Sequence, residues 1–197
     1  MYQILSYPIK KGQPTWPGNP AFSLEPHTSI AGGDTANTCT IHLFNHYGTH
    51  LDGPMHFYGK GIPLDQVPFG QFFFHNPLLL DIPKEPGAKL MPEDLIPHRE
   101  DVKDADLLLI RTGFSKYRRE KPDLYENNGP AVSSRLARYL QDNMSHLKAL
   151  ALDLCPLPLT ATQRMGIWPT RSCLACTTTV ISASSRMLIW RDFRPAF

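Results

Sequence analysis

Short apolar runs bounded by proline, glycine or aspartate recur between residues 76 and 153 of this chain and predict buried strands. Each run is six or seven residues long, which suits a strand better than a helix. The three runs are Asn76–Ile82, Asp106–Arg111 and Leu147–Asp153.

A helical period separates the last two of these runs. Within Pro130–Asn143, Val132, Leu136 and Leu140 recur every four residues and form one apolar stripe. Proline is favoured in the first turn of a helix, so the pattern predicts a helix that begins at Pro130. Strand, helix and strand in succession predict a mixed α/β fold.

The sequence before residue 97 predicts further strands and a helical turn. Three segments alternate well enough for strands, and a proline followed by two acidic residues favours a helical turn. The predicted strands are Tyr2–Ile9, Ala21–Ile30 and Thr38–Phe44, and the helical turn is Met91–Ile96.

Composition and charge exclude several classes of protein. The chain has 197 residues, 42% hydrophobic and 19% charged, which fits one soluble globular domain. A net charge of +2 and the lack of a basic cluster with interleaved aromatics argue against nucleic acid, and the run at residues 116–121 predicts only a solvated loop. No apolar run is long enough to span a membrane, and the first residues do not resemble a signal peptide. The four cysteines form no disulfide pattern, so we expect a cytoplasmic protein.

Four potential ligands lie within eleven positions, at His46, His50, Asp52 and His56. Intervening glycines and a proline disfavour a helix, and on an extended chain these even-numbered positions point to one side. Two imidazoles and a carboxylate suit zinc, and also manganese or iron(II), and leave room for water in a catalytic site. His56 is then placed as a general acid or base. His42 has the same parity but lies in the preceding predicted strand, so we interpret it as structural.

The segment from Asn45 to His56 resembles the signature of the cyclase family, whose best-known members are bacterial kynurenine formamidases. All fixed positions of the pattern His-x-Gly-Thr-His-x-Asp-x-Pro-x-His are present. The loop Thr15–Pro20 and the runs Asn76–Asp81 and Leu108–Gly113 also resemble family blocks, and the likeness covers residues 1–153.

The resemblance implies a swivelling β/β/α-type domain with a mixed sheet, a homodimer, and hydrolysis of N-formylkynurenine or a related small amide or lactone by metal-activated water. It implies that His46, His50 and Asp52 bind a divalent metal, zinc first and manganese second, with Asp52 bridging where two ions are present. His56 is implied as the proton donor and acceptor, and Trp16 as an aromatic that contacts the substrate ring. Without the resemblance, a packed loop tryptophan explains Trp16 equally well.

The pattern breaks after Asp153. Residues 154–197 contain one acidic residue and neither lysine nor histidine, and the chain has no Glu after Glu126 and no His after His146. Family members complete the site with a His and a Glu from this part. One hypothesis is that residues 154–197 are an aberrant segment of the same domain, encoded out of frame, because shifted codons for residues 166–171 and 183–190 can encode blocks resembling the family's.

Three functions therefore stay open. The first is an active amide or ester hydrolase that resembles arylformamidase. The second is a catalytically impaired member that binds at most one metal. The third is an isomerase or dehydratase on the same scaffold.

Overall fold

Parallel strands with apolar side chains form the centre of the molecule. The computed structural model describes residues 4–57, residues 60–155 and the backbone of residues 178–179. The strands are β1 (Ser23–Thr28), β2 (Thr38–His42), β3 (Pro77–Asp81), β4 (Lys89–Leu90), β5 (Leu107–Arg111), β6 (Ala131–Val132), β7 (Ala149–Leu152) and β8 (Thr178–Thr179). The helices are α1 (Pro54–Phe57), α2 (Arg99–Val102), α3 (Tyr117–Glu120), α4 (Pro122–Asn127) and α5 (Ser134–Asn143).

The main sheet is parallel, in the order β3-β5-β7-β8. In register, Leu78 lies beside Leu108, and Leu108 lies beside Leu150. Nearly all of β5 and the whole of β7 are buried, as expected for central strands that are covered on both faces. The three predicted strands are therefore confirmed, although β3 is only partly buried.

Helix α5 covers one face of this sheet through Leu136 and Leu140, which belong to the same apolar core as Leu108 and Leu150. The predicted start at Pro130 is wrong. Residues 131–132 instead pair with β4 as a second, two-stranded parallel sheet. The helix begins after Ser133, whose hydroxyl oxygen accepts a hydrogen bond from the backbone N–H of Leu136 at 3.0 Å. A serine cap of this kind satisfies an amide that the helix would otherwise leave unpaired.

Of the elements predicted before residue 97, some are confirmed and one is wrong. Strands β1 and β2 are confirmed, and they pair with each other as an antiparallel ribbon. Residues 92–94 form a short 3-10 turn within the predicted helical segment, capped by Asp94. The predicted strand Tyr2–Ile9 is wrong over its described residues 4–9, which form no strand. The N–H of Tyr7 in this segment donates to the Thr49 hydroxyl at 3.2 Å.

The mixed α/β prediction is confirmed. Within the described ranges, no helix is long and apolar enough to cross a bilayer. The hypothesis of an out-of-frame segment concerns residues 154–197, and apart from residues 154–155 and the backbone of 178–179 it lies outside the described residues.

Candidate metal centre

Three side chains from the loop after β2 converge on one point. His46 Nδ1 lies 2.9 Å from His50 Nε2 and 3.0 Å from Asp52 Oδ1, and His50 Nε2 lies 3.4 Å from the same carboxylate oxygen. Asp52 is buried, and the two imidazoles are half-buried. In the part of the chain that the structure describes, this is the set of His, Cys, Asp and Glu side chains that meets the geometry of a metal site.

The spacing of these donor atoms fits a divalent cation. Four-coordinate zinc with bonds of about 2.0–2.1 Å places its ligand atoms about 3.3 Å apart. An octahedral ion with bonds of about 2.1 Å places neighbouring ligand atoms about 3.0 Å apart. The observed distances span both values, so the donor set fits a divalent metal without selecting one.

The backbone of the loop explains why the ligands share a side. Gly48 has φ of +74°, a left-handed conformation that a residue with a side chain rarely adopts, and it turns the chain between the two histidines. His50 Nδ1 lies 3.0 Å from the carbonyl oxygen of Gly48. When Nδ1 carries the proton and donates to that carbonyl, Nε2 is left with its lone pair toward the cluster, as a metal ligand requires.

The odd-numbered side chains of the same loop point the other way and anchor it. Tyr47 is buried, and its hydroxyl donates to the carbonyl of Lys10 at 2.7 Å and accepts from the N–H of Gln13 at 3.2 Å. The hydroxyl of Thr49 accepts from the N–H of Tyr7. We call residues 7–15 the N-terminal strap, because this segment holds the metal loop from behind.

The far end of the strap is held by α3 and α4. Arg118 is only 7% exposed, its Nη1 donates to the carbonyl of Pro14 at 3.3 Å, and its guanidinium lies 4.3 Å above the ring of Tyr7. Glu126 Oε1 accepts from the N–H of Thr15 at 3.1 Å. The prediction of a solvated loop at residues 116–121 is therefore wrong at Arg118. Its charge is stabilised by an aromatic face and a carbonyl from a segment more than a hundred residues away, which no local pattern indicates.

His56 lies on α1, beside the cluster, so the expectation of no helix in this segment is wrong at Pro54–Phe57. Its exposed ring has its centroid 4.2 Å from that of His46. Trp16 is half-buried, in a turn closed by a hydrogen bond from the N–H of Asn19 to its carbonyl at 3.0 Å. His42 is exposed on the β1–β2 ribbon and lies 3.2 Å from Glu25, which agrees with the structural role that we predicted for it.

Burial and hydrogen bonding act on the two ligand imidazoles in opposite directions. Burial is the largest cause that lowers the pKa of His46; Asp52 opposes it, and the neighbouring imidazoles of His56 and His50 lower it further. Burial also acts to lower the pKa of His50, but hydrogen bonds to Asp52 and to the carbonyl of Gly48 outweigh it and raise that pKa. A metal ligand must be the neutral imidazole, which the surroundings of His46 already favour.

Comparison with known proteins agrees with the sequence pattern. The family model described as "Putative cyclase" matches residues 4–156. An uncharacterized protein of Haemophilus influenzae is 35% identical over 108 residues, which cover 55% of this chain and 76% of that protein. The kynurenine formamidase of Sphingopyxis alaskensis is 40% identical over 57 residues, and these cover 29% of this chain and only 27% of the formamidase.

Solved structures share the fold. A structure titled as a predicted metal-dependent hydrolase from Bacillus stearothermophilus has a TM-score of 0.60 at 21% identity, covering 81% of this chain and 72% of that one. A second, titled as a potential metal-dependent hydrolase with cyclase activity, has a TM-score of 0.60 at 20% identity and the same coverage. At these identities the likeness concerns the fold alone.

Proposed function

We propose that this chain, which belongs to the cyclase family, is a metal-dependent hydrolase of amide or ester bonds. Its proposed substrate is an arylformamide such as N-formylkynurenine. The observation that carries this proposal is the convergence of His46, His50 and Asp52 on one point at the spacing that a divalent cation needs.

In this proposal His46 Nδ1, His50 Nε2 and Asp52 Oδ1 hold the metal. Zinc is our first choice and manganese the second, because both accept two imidazoles and a carboxylate. The bound ion supplies Lewis acidity, which polarises the carbonyl of the substrate and makes water more acidic.

His56 is proposed as the catalytic residue that moves protons. Its ring lies beside that of His46 and is exposed, so a substrate that approaches the metal also meets this imidazole. An imidazole nitrogen can give a proton to the departing amine or alcohol. Without that proton, an amine is a poor leaving group.

Trp16 is proposed to contact the aromatic ring of the substrate. Its side chain is only partly buried, and it lies just beyond the strap that anchors the metal loop. The match to the formamidase of Sphingopyxis alaskensis supports an arylformamide over other amides. We further propose that the substrate is a small molecule in the cytoplasm and that neither nucleic acid nor a membrane is a partner.

The test is hydrolysis of N-formylkynurenine by the purified chain, supplied in turn with zinc and with manganese. His56→Ala should lower kcat by about 100-fold or more, the usual contribution of a general acid or base, while the metal stays bound. His42→Ala is the matched control, because this histidine lies only four residues before His46 but on the exposed ribbon. A chain that binds metal yet leaves N-formylkynurenine intact contradicts the arylformamide proposal.

One observation favours a second candidate, a catalytically impaired member that binds a single metal. The family's usual later His and Glu have no counterpart after His146 and Glu126 in this sequence. Losing ligands and their supports lowers metal affinity and activity. An impaired member should bind metal weakly and hydrolyse slowly. A chain that binds metal tightly but hydrolyses no formamide, ester or lactone instead supports an isomerase or dehydratase on this scaffold.

A further inference from the structure

The N-terminal strap is held to the molecule by side chains rather than by a sheet or a helix. Within the described residues, no backbone–backbone hydrogen bond joins residues 7–15 to another part of the chain. The strap backbone instead makes five hydrogen bonds to side chains of the metal loop and of α3 and α4. Residues 8–12 are exposed. Few backbone hydrogen bonds and high exposure are properties of a segment that opens locally while the domain stays folded.

The junction between the strap and α3 leaves polar atoms buried without a hydrogen-bond partner. Among the described side chains, these unpartnered atoms are Gln13 Oε1, Thr15 Oγ1 and Arg118 Nη2. All three belong to one junction, because Nη1 of Arg118 donates to the carbonyl of Pro14, the residue between Gln13 and Thr15. A buried polar atom without a partner has given up its hydrogen bonds to water and gained none in the protein. Closure of the strap is therefore opposed at this point.

Opening of the strap would return these three atoms to water, and the contacts that it would give up are modest. The guanidinium of Arg118 would lose the ring of Tyr7, which lies 4.3 Å below it. Ile9 is 45% exposed even in the closed strap, so its removal uncovers little further apolar surface. The central strands β5 and β7, by contrast, are paired on both sides and buried. The strap is therefore less stably held than the sheet and can open without unfolding it.

The strap contacts the metal loop at the residues that alternate with the ligands. The hydroxyl of Tyr47 bonds to two backbone groups of the strap, and the hydroxyl of Thr49 bonds to a third. Ile9 adds an apolar contact at Gly48, because a Cβ built on that glycine would lie 3.8 Å from the Ile9 side chain. Gly48 carries the turn that brings the ligands together. The closed strap and the turned metal loop thus support each other.

We propose that the strap opens and closes as a unit on the folded domain, and that strap closure and metal binding at His46, His50 and Asp52 stabilise each other. Two events that favour the same conformation strengthen each other by an equal factor, so a bound ion holds the strap closed as much as closure tightens the ion. The coupling rests on the metal centre of the proposed function, whereas the opening itself does not. Because Trp16 follows the strap directly, closure also sets the position of the residue proposed to contact the substrate.

The test is hydrogen exchange of the full-length protein, followed at single amides by NMR without metal and with zinc. The N–H groups of Gln13 and Thr15 report on the strap, because both donate to side chains outside it. The N–H of Leu109, in the central strand β5, reports on global unfolding. Without metal, the two strap amides should exchange at least about tenfold faster than Leu109 after correction for intrinsic rates. Zinc should slow the strap amides at least about tenfold. Strap amides that exchange as slowly as Leu109, or that zinc leaves unchanged, overturn the proposal.

Two variants should move the strap in opposite directions. Thr15→Val removes an unpartnered hydroxyl but keeps the shape of the side chain, so exchange at Gln13 should become roughly fivefold slower and zinc should bind more tightly. Thr40→Val, on the exposed strand β2, is the matched control and should change neither. Glu126→Ala removes the acceptor of the Thr15 N–H, so exchange at Gln13 should become faster and zinc binding weaker. Glu120→Ala, at an exposed glutamate of α3, is its control. Faster exchange in Thr15→Val, or unchanged exchange in Glu126→Ala, contradicts the inference.

Zinc content and hydrolysis, measured on the same samples, separate this inference from the proposed function. A chain that takes up no zinc contradicts the metal centre and the coupling, and exchange in the metal-free chain then still decides whether the strap opens. A chain that binds zinc and shows the expected exchange but hydrolyses no formamide supports the strap and contradicts the arylformamide proposal.

Discussion

Removing one hydroxyl group behind the metal loop should weaken metal binding without touching a ligand. In Tyr47→Phe the ring remains, but the hydroxyl that donates to the carbonyl of Lys10 and accepts from the N–H of Gln13 is lost. Lys10 is exposed, so water can replace the donor to its carbonyl. The N–H of Gln13 is half-buried and keeps part of its desolvation cost.

The expected loss of unfolding free energy in Tyr47→Phe follows from these two hydrogen bonds. A buried polar group left without its partner costs about 1–3 kcal/mol, and a rehydrated one costs much less. We therefore expect Tyr47→Phe to lower the free energy of unfolding by about 1–2 kcal/mol. Because supports behind metal ligands contribute about 10–100-fold to metal affinity, we also expect the dissociation constant for zinc to rise at least about tenfold.

The assay is competitive titration with zinc, alongside urea unfolding of the metal-free chain. Tyr139→Phe is the control, because it removes a hydroxyl from a half-buried tyrosine on α5, far along the chain from the strap. If Tyr47→Phe binds zinc as tightly as the wild type does, the strap does not position the ligands.

Three further predictions follow from single contacts. Ser133→Ala removes the cap of α5 and should lower the free energy of unfolding in urea by about 1 kcal/mol; no change would show that the cap is dispensable. Burial alone would raise the pKa of Asp106, but two backbone N–H donors outweigh it and hold that pKa below its ordinary value. The ionised carboxylate therefore stabilises the fold above the ordinary pKa of Asp, and this stability is lost as the pH falls through the lowered pKa. In Asp106→Asn the free energy of unfolding should therefore fall less steeply at acid pH than in the wild type. An equally steep fall in the variant contradicts this prediction. Gly61→Ala would place a Cβ 2.6 Å from the backbone of Pro54 in α1. The clash should shift His56 and lower kcat by a larger factor than it lowers metal affinity. An equal loss of kcat and metal affinity would argue against a separate role for α1.

The candidate ligands could be predicted because their pattern is local. His46, His50 and Asp52 lie within seven residues. The expected extended backbone is wrong, because the chain turns at residues 45–49 with Gly48 at φ of +74°, and this turn brings the ligands together. The central strands could be predicted equally well, because strands that are buried on both faces have continuous apolar sequences.

The supports of the site could not be predicted in the same way. Tyr47 meets Gln13, 34 positions away, and Arg118 meets Pro14, 104 positions away. Contacts at such separations leave no period in the sequence. One signal is available, since Tyr47 and Thr49 alternate with the ligands in sequence and are therefore candidates to face away from them.

The start of α5 was misplaced for a different reason. Proline and serine both favour the first positions of a helix, and they lie three residues apart here, at Pro130 and Ser133. Pairing of β6 with β4 takes residues 131–132 into a sheet and leaves the serine as the cap. Tertiary pairing thus decided between two equally good local signals.

For residues 154–197, the nucleotide sequence around codon 153 tests the out-of-frame hypothesis directly.

Elemental analysis of the purified chain after dialysis measures directly whether the His46, His50 and Asp52 cluster binds a metal. The geometry of His46, His50 and Asp52 predicts one divalent ion per chain in the wild type and in His42→Ala, and almost none in His50→Ala. A wild type that takes up no zinc or manganese, or a His50→Ala chain that holds as much metal as the wild type, would contradict the assignment of this cluster as a metal centre.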